Sequence, residues 1–283
     1  MRHRYLSDTK DVWVRFKRNH AAVIGLVIIA STFTLAVAAD FIAPYRALAT
    51  YVGPRLQPPS WSFPMGTDLL GRDVWSGYLY GTRIALLVGF TTAVASVTIG
   101  FSVGMVSGFV GGLLDDVLMR ITELFMVLPD FILAIVIVVL YGSSLWNVIL
   151  VISLLSWPTI ARIIRAEVLS LKEREFVDAA KTLGAGKLDI MFIELLPNTF
   201  PLITVSATLQ ISSAILVEAG LSFLGLSDPT VLSWGRMLYE AQQAFQSGAW
   251  WIVVFPGIAI AITAIAFNLM GDGLNDALNP KLR

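Results

Sequence analysis

The residues of this chain whose types could do chemistry are few, and they do not assemble into a catalytic set. Its two histidines, His3 and His20, both lie near the N-terminus, and there is no cysteine. A Ser–His–Asp arrangement and a zinc site of His and Cys ligands are therefore out of reach, as are disulfides. Gly184-Ala185-Gly186-Lys187 has the outline of a phosphate loop. The nucleotide-binding pattern also needs Gly at 181 and Ser or Thr at 188, where this chain has Lys181 and Leu188. The remaining candidates are polar residues in or near apolar runs: Glu123, Asp130, Gln210, Glu218 and Asn268. A charge at a bilayer centre costs about 2.5–3.5 kcal/mol on insertion scales, so such groups face protein or water. Glu218 lies deepest. It is either a residue lining a polar path or an internal hydrogen-bond brace.

These residues are carried by elements of membrane length. Of 283 residues, 56% are hydrophobic and 14% charged, against about 25% charged in a soluble domain. Six apolar runs approach the length needed to cross a bilayer: Ala21–Phe41, Ile84–Phe109, Val117–Tyr141 (interrupted by Pro129), Leu145–Ile164, Thr199–Leu224 and Ala249–Met270. The first is longer than a signal-peptide core and reads as an uncleaved anchor, although Ala36-Val37-Ala38 resembles a cleavage site. The expected organisation is an N-terminal segment (1–20), an anchor helix (21–42), a loop with a short helix (43–82), a five-helix core (83–270) and a C-terminal tail (271–283). The core contains the insert 165–198.

Net charge is zero, so no overall field attracts nucleic acid. The distribution of Lys and Arg is not even. Fifteen fall on the side that holds both termini and the 165–198 insert, and five, Arg46, Arg55, Arg72, Arg83 and Arg236, fall on the other. The positive-inside rule puts the termini and the insert in the cytoplasm.

The second run carries Ser96, Gly100, Gly104, Gly108 and Gly112, a small residue at every fourth position. That spacing keeps them on one helix face, where a neighbouring backbone can approach. The face serves tight packing, within the chain or with a second subunit, or else a sliding surface. Pro129 and Pro256 are expected to kink their helices. In the loop 43–82, Thr67 or Asp68 is placed to cap a short helix from Leu69 toward Tyr80, braced by Asp68, Arg72 and Asp73. Residues 225–248, with Trp234, Arg236 and Glu240, form the second outer segment. Each outer segment is either a surface structure or a docking place for an external partner.

The stretch Glu175–Asn198 is polar, charged and helix-forming between two apolar runs. Phe176, Ala179, Ala180 and Leu183 recur at helical spacing and predict one apolar face. Gly184 suits the position that ends a helix. A second short helix is expected with Leu188, Met191, Phe192 and Leu195 on one side, Pro197 marking entry to the fifth run. Either the two helices lie on their own bundle or the bilayer surface, or their apolar face receives another protein.

This stretch resembles the cytoplasmic motif of the permease subunits of binding-protein-dependent ABC importers: Glu-Ala-Ala, three residues, Gly, nine residues, Ile-x-Leu-Pro. Here Asp178-Ala179-Ala180, Gly184 and Glu194-Leu195-Leu196-Pro197 keep the spacing in full, with Asp178 for Glu and Glu194 for Ile. Three further segments, FKRNHAAVIGLVIIA, GTDLLGRDVWSGYLYGTR and EAGLSFLGL, resemble the second permease of dipeptide and oligopeptide importers, with nickel and some sugar importers close by.

The resemblance implies an all-α integral membrane protein of the type I ABC importer permease fold, in a prokaryotic plasma (inner) membrane. It further implies a pore-forming role for di- or oligopeptides by alternating access. Its partners would be a homologous second permease, two ATP-binding subunits and an extracytoplasmic solute-binding protein, with ATP and Mg bound by the ATPases and no cofactor in this chain. Coupling to the ATPases would fall to Asp178, Ala179, Ala180 and Gly184, joined on periodicity by Phe176 and Leu183. Oligosaccharides or metal chelates are the alternative cargo. A secondary carrier would show an internal repeat, and none is evident; a membrane-embedded enzyme would need the catalytic set that is missing.

Overall fold

A computed structural model describes residues 12–278. The basic residues Arg2, Arg4, Lys10, Lys281 and Arg283, together with His3, lie outside the described residues. The long elements are α1 (His20–Ile42), α2 (Val74–Val110), α3 (Gly112–Val127), α4 (Asp130–Tyr141), α5 (Leu145–Leu171), α6 (Glu175–Thr182), α7 (Lys187–Phe223), α8 (Trp234–Ala241) and α9 (Trp251–Leu278). Five helices are long and apolar enough to cross a membrane, or six if α3 and α4 are taken as one bent span. With no water in the hydrocarbon, helices satisfy every backbone group internally, which is why the apolar runs fold this way.

The helix pair in most extensive contact is α2 with α5. A Cβ at Gly100 would stand 2.8 Å from the Trp157 carbonyl oxygen and 2.7 Å from Ile160 Cβ. At Gly104 it would meet the Ala161 carbonyl oxygen and Ile164 Cβ, and at Gly108 the Arg165 carbonyl oxygen at 3.0 Å. The four-residue step on α2 thus matches a four-residue step along α5. Gly112 does not continue this face. Its φ is +60°, nothing lies within 4 Å of its added Cβ, and it sits beyond the turn at Gly111 that ends α2. A face holds its direction only while the helix does.

α7 and α9 pack against each other, with α2 on one flank and α1 on the other. α1 comes close to α9 because a Cβ at Gly25 would lie 2.6 Å from the Ala266 carbonyl oxygen. The outward side of α1, with Ile24, Val27, Phe33 and Val37, is exposed, as suits a helix facing lipid.

Several boundaries differ from expectation. No separate helix runs from Leu69. Instead Asp73 caps α2 by accepting from the Ser76 N–H at 2.9 Å, and α2 continues for 37 residues. At 1.5 Å per residue that is about 55 Å, longer than a bilayer core, so one end stands outside it. Asp68 closes a loop, accepting from the N–H groups of Leu70 and Arg72 at 2.8 Å each. Pro129 does more than kink: α3 and α4 meet at 83°. Leu128 is driven into the extended region (ψ 141°), as the residue before a proline usually is. Pro256 lies within an unbroken α9, which also carries residues 271–278 that were expected in a tail. The second short helix and the fifth span are one helix, α7, with wider π-type winding at Ile190–Leu195. Pro197 lies two residues further on. Lacking an N–H, it cannot close an ordinary helical bond, and a local π turn is a common way to absorb that.

Candidate functional site

The end of the bundle that carries α6 is built in two layers. Where α2 turns into α3, Asp115 receives both prongs of Arg165, with Nε and Nη2 each at 2.6 Å, and the Ser107 hydroxyl donates to the same carboxylate. Lys172 Nζ donates to the Gly108 carbonyl at 3.0 Å. The last turns of α5 are therefore tied to the α2–α3 corner immediately before the chain enters α6.

α6 begins after Arg174, with Glu175 and Asp178 in its first turn and Lys181 in its last, the charge order a helix dipole favours. It ends in a Schellman turn. The Ala185 N–H donates to the Ala180 carbonyl and the Gly184 N–H to the Lys181 carbonyl, both at 3.0 Å. Gly184 has φ +85° with nothing near its missing Cβ. The turn requires glycine for conformation and not for space.

The apolar face expected on α6 is divided. Val177 is 0% exposed and packs with Ile164, Val168, Ile190, Met191 and Leu195; Phe176, Ala180 and Ala185 lie partly buried beside it. Ala179 and Leu183 face away from the bundle, Leu183 being 88% exposed. Asp178 and Gly184 share that outward side, and the exposed Leu188, Phe192 and Ile193 of α7 extend it. Among the described residues Asp178 is paired only with its neighbour Lys181, at 2.9 Å. Val177 was the residue missed. Its signal was present: a β-branched apolar residue beside Phe176 and three before Ala180 makes a more strongly apolar stripe than the alanines do.

Glu218 is enclosed in this structure. It is 5% exposed, and the Ser222 hydroxyl donates to its Oε1 at 2.7 Å. Ser222 in turn stands 3.4 Å from the Ser233 hydroxyl, which caps α8 through the Arg236 N–H. Through these hydroxyls the carboxyl is linked to the start of α8.

At the end of the bundle opposite α6, the segments 43–82 and 225–248 are bonded together. Arg72 Nε lies 2.5 Å from Asp68, its Nη2 reaches Glu240, and Arg236 joins Glu240 at 3.0 Å. Burial works against the Arg72 guanidinium, but the two carboxylates beside it raise its pKa. The Trp251 indole N–H donates to the Thr67 carbonyl at 3.0 Å. Asp228 accepts from the N–H groups of Leu145 and Thr230 and from the Thr230 hydroxyl. Burial pushes its carboxyl up, yet these bonds and Arg236 hold it below the ordinary 3.8. Among the described residues no group of His, Asp or Glu is arranged to hold a metal ion.

Apolar helices of bilayer length, one pair bent at a proline, with a polar helix anchored beneath them, define an all-helical integral membrane protein of the type I ABC importer permease fold. Residues 97–283 match the binding-protein-dependent transport system inner membrane component, and residues 7–59 match the N-terminal transmembrane domain of oligopeptide transport permease C. The chain belongs to the family of binding-protein-dependent transport system inner membrane components. It is 42% identical to the dipeptide transport system permease protein DppC of Bacillus subtilis (strain 168), over 98% of this chain and 87% of that one. Against the proteins of the same name from Haemophilus influenzae and Escherichia coli (strain K12), identity is 40% and 41%, over 97% and 98% of this chain and 95% of each relative. It is thus a multi-pass inner-membrane permease subunit.

Proposed function

We propose that this permease subunit passes di- or oligopeptides across the plasma membrane by alternating access, driven by ATP and Mg held in two separate ATP-binding subunits. A homologous permease completes the pore, and an extracytoplasmic solute-binding protein delivers the peptide. The relatives' names support the cargo, and the fifteen-to-five split of Lys and Arg supports termini and α6 in the cytoplasm.

The observation that carries the coupling role is the two-faced build of α6. Val177 fixes one side to the bundle, with Phe176 and Ala180 partly buried beside it, while Asp178, Ala179, Leu183 and Gly184 stand outward. A helix fastened on one face and apolar on the other transmits displacement between rigid bodies. Burying Leu183 and Leu188 against a partner would contribute about 1.5–3 kcal/mol each. Small Ala179 allows the partner's backbone to come close.

Ala179→Arg tests this in the complete transporter. Uptake of labelled dipeptide falls at least tenfold and the ATP-binding subunits co-purify less, with membrane insertion unchanged. Normal uptake by a properly inserted variant overturns the coupling role. Sidedness has its own test: a cysteine at Lys187 that reacts with impermeant reagents from outside intact cells would reverse the orientation.

A further inference from the structure

Between α3 and α5, at the end of the bundle that carries α6, lies an open recess of about 760 Å³. Asp116, Arg120 and Glu123 line it from one helix, Arg162 and Arg165 from the other. Two of its cations are already matched, Arg165 by Asp115 and Arg120 by Glu123 Oε2 at 3.1 Å. Arg162 is not. Among the described residues it belongs to no ion pair, and its one polar partner is the Met126 sulfur at 3.5 Å, a weak acceptor for a group with five N–H donors. Asp116 also belongs to no ion pair among the described residues, and the Arg120 bond leaves Glu123 Oε1 free. Arg162, Asp116 and Glu123 are all exposed, so these groups are open to a ligand.

The place of Arg162 along α5 says what kind of ligand meets it. From the exposed Trp146, an aromatic suited to a membrane interface, to Arg162 is about 24 Å of helix at 1.5 Å per residue. A hydrocarbon core about 30 Å thick therefore leaves Arg162 near its far boundary, at the level of lipid phosphates. Beside the charged residues stand the exposed apolar side chains of Ile121, Leu124 and Ile163. Basic pockets between membrane helices hold lipid headgroups, and a guanidinium grips phosphate with two parallel bonds. The unmatched cation is balanced by the unmatched Asp116, which disfavours a headgroup that is only anionic. Glu123 lies one helical turn from Met126 and so on the side of α3 that Arg162 touches. We propose that this recess seats a phospholipid with an ethanolamine headgroup. Arg162 donates to its phosphate, its primary ammonium donates to Glu123 Oε1 within the negative field of Asp116, and its acyl chains lie along Ile121, Leu124 and Ile163.

Native mass spectrometry of the complete transporter tests this. The complex is loaded from an equimolar mixture of phosphatidylethanolamine, phosphatidylcholine and phosphatidylglycerol with matched acyl chains. Wild type is expected to retain the ethanolamine lipid at least threefold over either of the others, since choline has no N–H to donate. Arg162→Gln is expected to retain one ethanolamine lipid fewer per complex. Glu123→Gln removes the ammonium's acceptor and releases Arg120, so the preference should pass to phosphatidylglycerol. Equal retention of the three lipids by the wild type, or a wild-type pattern that persists in both variants, overturns the proposal. Should Arg162→Gln fail to assemble, the wild-type preference and Glu123→Gln decide between the same outcomes. A wild-type preference for phosphatidylglycerol assigns the recess to an anionic headgroup and overturns the ethanolamine occupant. Peptide termini carry the same pair of charges, and added alanyl-alanine separates them from a headgroup. Unchanged lipid retention supports the lipid, and displacement assigns the recess to peptide and overturns it.

Discussion

Asp115 and Arg165, fifty residues apart in sequence, meet through two parallel hydrogen bonds of 2.6 Å, one to each carboxylate oxygen. This fork closes the angle between the α2–α3 corner and the last turns of α5, directly above the helix that leaves the bundle. It turns three helix ends into one rigid base.

Geometry is what makes this pair strong, since a guanidinium matches a carboxylate bidentately and an ammonium does not. Arg165→Lys is expected to lower stability by about 1–2 kcal/mol, with Asp115→Asn similar. The double variant should cost less than the sum of the two, measured as a double-mutant cycle by thermal melting in detergent. Full additivity would show that the residues do not act together.

The glycine stripe predicts an ordered series. Gly104→Ala places a methyl against the Ala161 carbonyl and Ile164, neither of which can swing aside, so α2 and α5 must separate. Overpacking of this kind costs about 1–3 kcal/mol. Gly112→Ala meets no atom and carries only the strain of its positive φ, about 1 kcal/mol. Melting temperatures should therefore fall further for Gly104→Ala, and the reverse order would contradict the packing described.

On α6, Val177 and Leu183 should separate folding from docking. Val177→Ala removes fully buried methyl groups from the bundle foot and should destabilise by about 1–3 kcal/mol. Leu183→Ser alters an exposed side chain and should leave stability within about 0.5 kcal/mol. The proposed role of α6 requires the second change, not the first, to weaken retention of the ATP-binding subunits at matched amounts of folded protein. Pull-down of the assembled transporter reads this directly.

The end of the bundle opposite α6 should loosen in acid through Asp228. Its carboxyl is held below 3.8 in the folded protein, so its contribution to stability is complete above the unfolded value and disappears as pH falls through the folded one. Hydrogen exchange at Leu145 and Thr230, whose N–H groups it accepts, should accelerate relative to the rest of the bundle as pH drops below about 4, once the intrinsic pH dependence is removed. Asp228→Asn should abolish that pH dependence.

The apolar spans were legible because bilayer length and hydropathy are properties of a run, readable without knowing any neighbour. The matching steps of Gly100, Gly104 and Gly108 were legible for a similar reason: a four-residue repeat fixes a helix face locally. Gly112 fits the same arithmetic and fails, since counting cannot detect that the helix has already ended. Val177 was passed over because two adjacent stripes on α6 are both apolar, and only the hydrophobic pocket formed by α5 and α7 chooses between them. Asp73 was read as a brace when it is the cap of α2, a role that depends on where the outer loop stops.

From its order of residues alone this chain was bound to be a multi-span helical membrane protein with a polar insert, because these follow from composition and local periodicity. Which face of α6 is fastened, and where Arg72 finds Glu240 and Asp115 finds Arg165, were decided only by tertiary structure. Those features depend on groups far apart in sequence, and their energies exist only once the helices have packed and excluded their surroundings.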